Sequence, residues 1–305
     1  MGSIEHVEFK TIDGLTLRGH VYHSGVRGPG VVMCPGFNCV KEMAGLPSVA
    51  KTFMDNGITA LVYDPRTVGE SDGQPRNDID PSPQIQDYSD AITYLSKLPN
   101  VNANQIGLWG ISLAASVALC TASFDKRAKW VIAACPVAEY HYDKNMMAKV
   151  LQKCIQDRAS QIMGNPPFYV PMLNVSGINP AGLDFGYERE YAAEMVRRGI
   201  QVAPNHQNKT TIQSYHKLVM WNPWPMWKHL GSTPVLFLVP ETDRLCPPDV
   251  QIRHFEALTG PKRLHVQKGS GHMDMVEGAH AEEVFNVSLN FVRDATAGTI
   301  IDADF

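Results

Sequence analysis

The chain has 305 residues, of which 44% are hydrophobic and 19% charged, a balance that fits a globular protein and excludes a disordered or collagen-like one. Lys plus Arg number 27 against 31 Asp plus Glu, giving a formal net charge of −4 that argues against a dedicated nucleic-acid binder. No run approaches the ~18 apolar residues of a membrane span, and no basic segment followed by an apolar one marks a secretory signal, so a cytoplasmic location is expected. Six cysteines without a C-x-x-C pair read as buried free thiols, and a zinc site has little support.

The predicted elements follow in order. Strands at 6–11 and 15–23 alternate around an Asp13-Gly14 turn and form a hairpin. A short strand at 31–34 ends at Pro35-Gly36. Helical spacing over 46–56 stops at Gly57, and a strand follows at 59–63. A polar loop rich in Gly, Pro and Asp covers 64–83. A helix is predicted over 85–98, a strand over 105–109, a small-residue helix over 112–124 and a buried strand over 130–135. The pattern resumes with a strand at 234–239, a helix at 248–258, a strand at 263–267 and a helix at 276–292. Strands alternating with helices imply an α/β fold with a mostly parallel sheet of eight strands, covered on both faces, and an antiparallel hairpin at one edge.

The intervening stretch breaks this alternation. It divides the chain into a core of 1–135 and 232–305 and a mainly helical cap insertion of 136–231. The insertion holds seven of the thirteen methionines. Near its end stand Met220, Trp221, Trp224 and Trp227, which either line an apolar acyl pocket or anchor the insertion to the core.

The chemistry concentrates after three strands. The strand at 105–109 runs into Gly110-Ile111-Ser112-Leu113-Ala114 and then a helix, the setting in which a serine is held on a strained turn with its hydroxyl exposed. The helix N-terminus there favours developing negative charge. A hydroxyl needs a base, and among eleven histidines His272 stands out, in a glycine-rich loop after the last strand. The base needs a carboxylate, expected after the preceding strand: Asp243, with Glu241 as local competitor. An oxyanion needs donors, and the backbone N–H groups of Leu113 and Phe37 are the expected pair, with Asn38 second to Phe37.

With these segments in place, the chain resembles the α/β-hydrolase superfamily over nearly its whole length. It is similar in particular to the dienelactone-hydrolase and Xaa-Pro-peptidase-like branch that includes fungal polyketide transferases and thioesterases. The stretches that carry the resemblance are Cys34-Pro35-Gly36-Phe37 with Lys41-Glu42, Tyr63-Asp64-Pro65-Arg66 through Gly69-Glu70-Ser71-Asp72-Gly73, Ile106 to Ser112, Pro240 to Pro247, and Gly271-His272. Departures are Thr67, where a glycine is usual, and Ala114 and Ala115 behind the serine.

The resemblance implies the α/β-hydrolase fold, Ser112 as nucleophile, His272 as base, Asp243 as acid, and acyl transfer from an ester or thioester with no cofactor and no metal. It points to an apolar or polyketide-type acyl group of secondary metabolism, small or presented by an acyl-carrier protein of a polyketide synthase, as the partner molecule. Alternatives are transfer of the acyl group to an alcohol, C–C bond hydrolysis with the same residues, or a non-catalytic ligand receptor on the same fold. Whether the chain forms a homodimer is left open.

Overall fold

A computed structural model of the protein describes residues 2–140, 142–174, 176–183, 202–272 and 275–300. Its main sheet is built from β1 (Ser3–Lys10), β2 (Thr16–His23), β3 (Gly28–Cys34), β4 (Thr59–Tyr63), β5 (Val101–Ile111), β6 (Val131–Ala134), β9 (Val235–Pro240) and β10 (Lys262–Gln267). These eight strands lie in the order β1-β2-β4-β3-β5-β6-β9-β10. The β1/β2 and β2/β4 pairs are antiparallel and every other pairing is parallel. The sheet is therefore the mostly parallel eight-stranded one that the strand pattern predicts.

Strand periodicity sorts the core into two layers, because successive side chains point to opposite faces. Val31, Met33, Ala60, Val62, Trp109, Ile132, Ala134, Leu236 and Leu238 face the helices α1 (Leu46–Asp55) and α8 (Ala281–Ala297). Their alternates, among them Val32, Cys34, Leu61, Tyr63, Leu108, Val131, Ala133, Val235 and Phe237, face α2 (Pro81–Leu95), α3 (Leu113–Phe124) and α7 (Pro248–Glu256). Each Val, Leu, Ile, Met or Phe so enclosed contributes roughly 1.5–3 kcal/mol of transfer free energy. Eleven of the twelve residues of α3 are buried, which explains why its small side chains show no amphipathic pattern. It runs under the sheet rather than along the surface.

Several boundaries differ from expectation. β5 begins at Val101, four residues early, and pairs along β3 from Gly28 through a bulge. α2 begins at Pro81 because Asp80 caps it, accepting a bond from the Ser82 N–H at 3.0 Å. α8 begins at Ala281 rather than at 276, since Val276 and Glu277 are held in a turn. The Glu277 carboxylate accepts the Gly45 N–H at 2.5 Å. All six cysteines are buried. No described helix is long and apolar enough to cross a membrane.

Between β6 and β9 lie α4 (Lys144–Ile162), a two-stranded ribbon of β7 (Tyr169–Val170) and β8 (Thr210–Thr211), α5 (Ile212–Met220) and α6 (Trp224–Trp227). A third apolar cluster joins this segment to the loops of the sheet. It contains Phe37, Val40, Val68, Leu113, Val137 and Leu245 on one side, and Met147, Val150, Cys154, Met172, Ile212 and Tyr215 on the other.

Candidate active site

The parallel strands β3, β5, β6, β9 and β10 all end at one rim, and the residues singled out in the sequence follow these ends. Ser112 succeeds β5 and adopts φ 59°, ψ −125°, a strained conformation for a residue with a side chain. Three contacts hold it there. Its N–H donates to the Ala134 carbonyl at 2.8 Å, extending the β5–β6 ladder by one bond. Gly110 allows the following helix to fold back closely: a Cβ on it would lie 2.4 Å from the Ala114 carbonyl oxygen. Gly36 allows the turn after β3 to approach from the other side, where a Cβ would lie 3.0 Å from the Ser112 Cβ and 3.6 Å from its Oγ. Ser112 thus sits at the N-terminus of α3 with the turn of Pro35 to Asn38 against it. Helix N–H groups at that end have no carbonyl a turn earlier to accept them, and Leu113 carries one of these.

Asp243 and His272 are both buried, and His272 Nδ1 lies 2.8 Å from Asp243 Oδ2. Every oxygen of the carboxylate is engaged. Oδ1 accepts the N–H groups of Leu245 at 3.0 Å and Cys246 at 2.8 Å, and Oδ2 also accepts Gln251 Nε2 at 3.2 Å. The acid is thereby oriented by its own turn and by α7. Glu241, its local competitor, accepts the Gly269 N–H at 2.9 Å in an exposed position, and the His272 Nδ1 bond among the described residues goes to Asp243. Cys135 follows β6 with φ 50°. Its thiol, the imidazole and the Asp243 carboxylate form a buried group whose ligand atoms lie within 4.8 Å of one another. Because the carboxylate already accepts four bonds, this thiol packs beside the pair, with its sulfur 3.5 Å from the His272 carbonyl.

The turn after β3 is tied both downward and upward. Below it, Lys41 is buried with its Nζ 3.0 Å from Asp64, 2.6 Å from Glu70 and 3.0 Å from Glu42. Burial alone would lower the Lys41 pKa, but these carboxylates outweigh it and hold the ammonium charged. The adjoining loop is held by Arg18 paired with Asp72 at 2.7 Å, and Arg76 donates to the Gly69 carbonyl at 2.5 Å and to that of Ser71. Above it, Asn38, at φ 52°, donates to the Gln207 carbonyl at 3.1 Å and accepts Asn77 Nδ2 at 3.1 Å. Thr211 and Ser214 of the α5 start bond to Asp78 at 2.6 Å and to the Ile79 N–H at 2.8 Å. The Phe37 ring lies 6.0 Å from that of Tyr215.

The aromatic residues expected to line a pocket are placed otherwise. Trp227 is fully buried in the core, edge-on to Trp224 and Phe237, with its Nε1 3.3 Å from the Ser116 carbonyl. It has no surface left to offer a ligand and anchors the segment to α3. Trp221 and Trp224 pack partly buried against the same core cluster, and Met220 is 69% exposed to solvent. Phe37 and Leu113 share one apolar cluster with, among others, Val137, Met147, Met172 and Leu245. Neither they nor Gln251 carried a local sequence signal, since folding of the insertion and of α7 brings them there.

The comparisons with known proteins bear on the fold and the family. The family model described as the alpha/beta hydrolase family matches residues 31–287. The chain is 46% identical over 289 residues to a thiohydrolase from Eupenicillium brefeldianum, covering 95% of this chain and 94% of that protein. It is 41% identical to the polyketide transferase ATR5 of Stachybotrys chlorohalonatus, covering 95% and 96%. The crystal structure of the alpha/beta hydrolase GrgF from a Penicillium species superposes with a TM-score of 0.88 at 39% identity, covering 97% of this chain and 99% of that one. With the matched model, the strand order and relatives of this likeness all in agreement, the chain is an enzyme of the α/β-hydrolase family.

Proposed function

We propose that this enzyme takes an acyl group from a thioester or ester onto Ser112 and passes it to water or to an alcohol. The observation that carries this reading is the buried 2.8 Å hydrogen bond between Asp243 and His272, located at the strand rim where Ser112 is held with positive φ. His272 takes the Ser112 proton at Nε2 as Oγ attacks the carbonyl carbon. Asp243 keeps the other imidazole nitrogen protonated and stabilises the cation that forms. The N–H groups of Leu113 and Phe37 receive the negative charge on the carbonyl oxygen. Collapse of the tetrahedral intermediate expels the thiol or alcohol, which takes the proton from His272, and leaves the acyl group on Ser112. The same base then activates the acceptor. No cofactor enters these steps.

Two relatives bear on the acceptor, one named a thiohydrolase and one a polyketide transferase. The burial of Ser112 and His272, 8% and 6% exposed, favours an apolar acyl group of the polyketide type that excludes water from the rim. The segment 136–231 serves in this reading as a cap that receives the acyl chain beside Phe37, Met147 and Met172.

The test is labelling with an active-site fluorophosphonate, alongside turnover of an acyl thioester with and without a fatty alcohol. Modification confined to Ser112, with free acid and ester as products, is the expected result. An unmodified Ser112 in folded protein, or turnover unchanged in Ser112→Ala, would overturn the proposal.

A further inference from the structure

Helix α4 has two unlike faces. Met147, Val150 and Cys154 form a stripe at helical spacing, and all three belong to the apolar cluster that holds Phe37 and Leu113. The outward side exposes Ile155 at 70% and Ile162 at 80%, continued by Met163 at 75% just past the helix end. Eight of the thirteen large apolar side chains exposed among the described residues lie between 136 and 231.

Charge is equally uneven. Between Lys144 and Met163 stand four cations, Lys144, Lys149, Lys153 and Arg158, and a single acid, Asp157. That acid is buried and engaged by the Phe168 N–H at 2.7 Å and by Gln161 and Gln213, both at 2.7 Å. None of the four cations is ion-paired among the described residues. A chain of net charge −4 therefore carries exposed apolar side chains and four cations on one helix, whose N-cap Asp143 is the acid nearest its start.

We propose that the outward face of α4 docks an acidic protein domain that carries the acyl group as a thioester on a flexible arm. The inference rests on the acyl-transfer reading of Ser112. An apolar centre with a charged rim is the composition of a specific but transient interface, and complementary charge chiefly accelerates encounter. A second copy of this chain is disfavoured as occupant, because a two-fold contact would set the four cations against their own images. The helix is roughly 10–12 Å thick. A domain resting on it stands one helix away from the cluster containing both candidate oxyanion donors, with the thioester delivered past the helix rather than through it.

The experiment compares the wild type with the double variant Lys149→Glu/Arg158→Glu, and separately with Ile155→Ser. Two substrates carry the same acyl chain: an octanoyl thioester on an acidic holo acyl-carrier domain, and octanoyl N-acetylcysteamine. Both variants change solvent-facing residues, and an unchanged melting curve shows that they fold. For the carrier-bound substrate, kcat/KM is expected to fall about tenfold or more in the double variant, mainly through KM. The small thioester should stay within about twofold. Wild-type turnover of the carrier-bound substrate should also decline between about 50 and about 500 mM salt while that of the small thioester does not. Equal loss on both substrates, or no loss on either, overturns the docking proposal. So does a wild-type dimer in sedimentation that the double variant abolishes, or binding of the wild type to vesicles of anionic lipid but not to the carrier domain. A wild type inert toward the small thioester refutes the acyl-transfer reading itself and is thereby told apart.

Discussion

Replacing Asp243 by asparagine isolates the role of its charge, because the amide has nearly the same shape. The carboxylate accepts four bonds: Leu245 N–H and Cys246 N–H at Oδ1, and His272 Nδ1 with Gln251 Nε2 at Oδ2. An amide offers one accepting oxygen and one donating nitrogen. If its nitrogen faced Leu245 and Cys246, two buried N–H groups would lose their acceptor, at about 1–3 kcal/mol each. The amide oxygen therefore keeps the backbone pair, and the nitrogen is turned toward His272. That nitrogen can only donate, so His272 Nδ1 must accept, and the imidazole proton moves to Nε2, the position that has to be bare to take the Ser112 proton. Asp243→Asn should accordingly lower kcat on the order of 10⁴-fold at neutral pH with KM little changed, as the loss of the working tautomer does in other triads. Thermal stability should fall only modestly, since the backbone bonds survive. The assay is steady-state thioester hydrolysis, with Glu241→Gln as control, which removes only the charge of an exposed acceptor of the Gly269 N–H and should keep full activity. Asp243→Asn retaining activity within about tenfold of wild type, or Glu241→Gln losing it, would refute the assignment.

Three further outcomes follow from the surroundings of the site. Lys41→Met leaves the fully buried Asp64 carboxylate without its cation and should cost about 3–5 kcal/mol in urea unfolding, with less than about 1 kcal/mol counting against the role given to the buried ion pairs. Gly110→Ala places a methyl group 2.4 Å from the Ala114 carbonyl and should cost about 1–3 kcal/mol and displace Ser112, so fluorophosphonate labelling slows; unchanged labelling would contradict the close fit described for this turn. The Arg18 guanidinium hydrogen bond holds the Asp72 carboxyl down, from 3.8 to about 2. Since the folded value lies below the unfolded one, this stabilisation is present above about pH 4 and is lost as pH falls toward 2. Arg18→Gln should therefore lower Tm at neutral pH by an amount that shrinks in acid, and a deficit undiminished near pH 2 would contradict the pairing.

Much of this architecture was legible along the chain for physical reasons that are local. The unbroken apolar runs Val31 to Cys34, Thr59 to Tyr63 and Pro234 to Val239 encode buried parallel strands, and Gly110 before Ser112 encodes a turn that no larger residue permits. Asp243 and His272 were singled out because each stands in the turn that follows a parallel strand, β9 and β10. What escaped is set by contacts across long separations. Val276 carries helical spacing, yet Glu277 reaches back to Gly45 and holds the segment as a turn, so α8 starts five residues later. Gln251 looks like an ordinary residue of an amphipathic helix until α7 folds it onto the acid. The tryptophans near the end of the insertion are equally suited by composition to a ligand and to a core, and only burial tells them apart: Trp227 has none of its surface exposed.

The bonds from Asn38 to Gln207 and from Thr211 and Ser214 to residues 78 and 79 have a consequence for anyone who would re-engineer selectivity by exchanging segments between homologues. A transplanted insertion arrives with half of each fastening, while the host supplies the other half from loops more than a hundred positions away. Chimeras that move residues 136–231 alone will unsettle the turn that follows β3, and should show poor turnover on every acyl chain rather than a new preference. Grafts that carry 36–40 and 77–80 along with the insertion transfer the whole joint, and selectivity becomes portable only in that form.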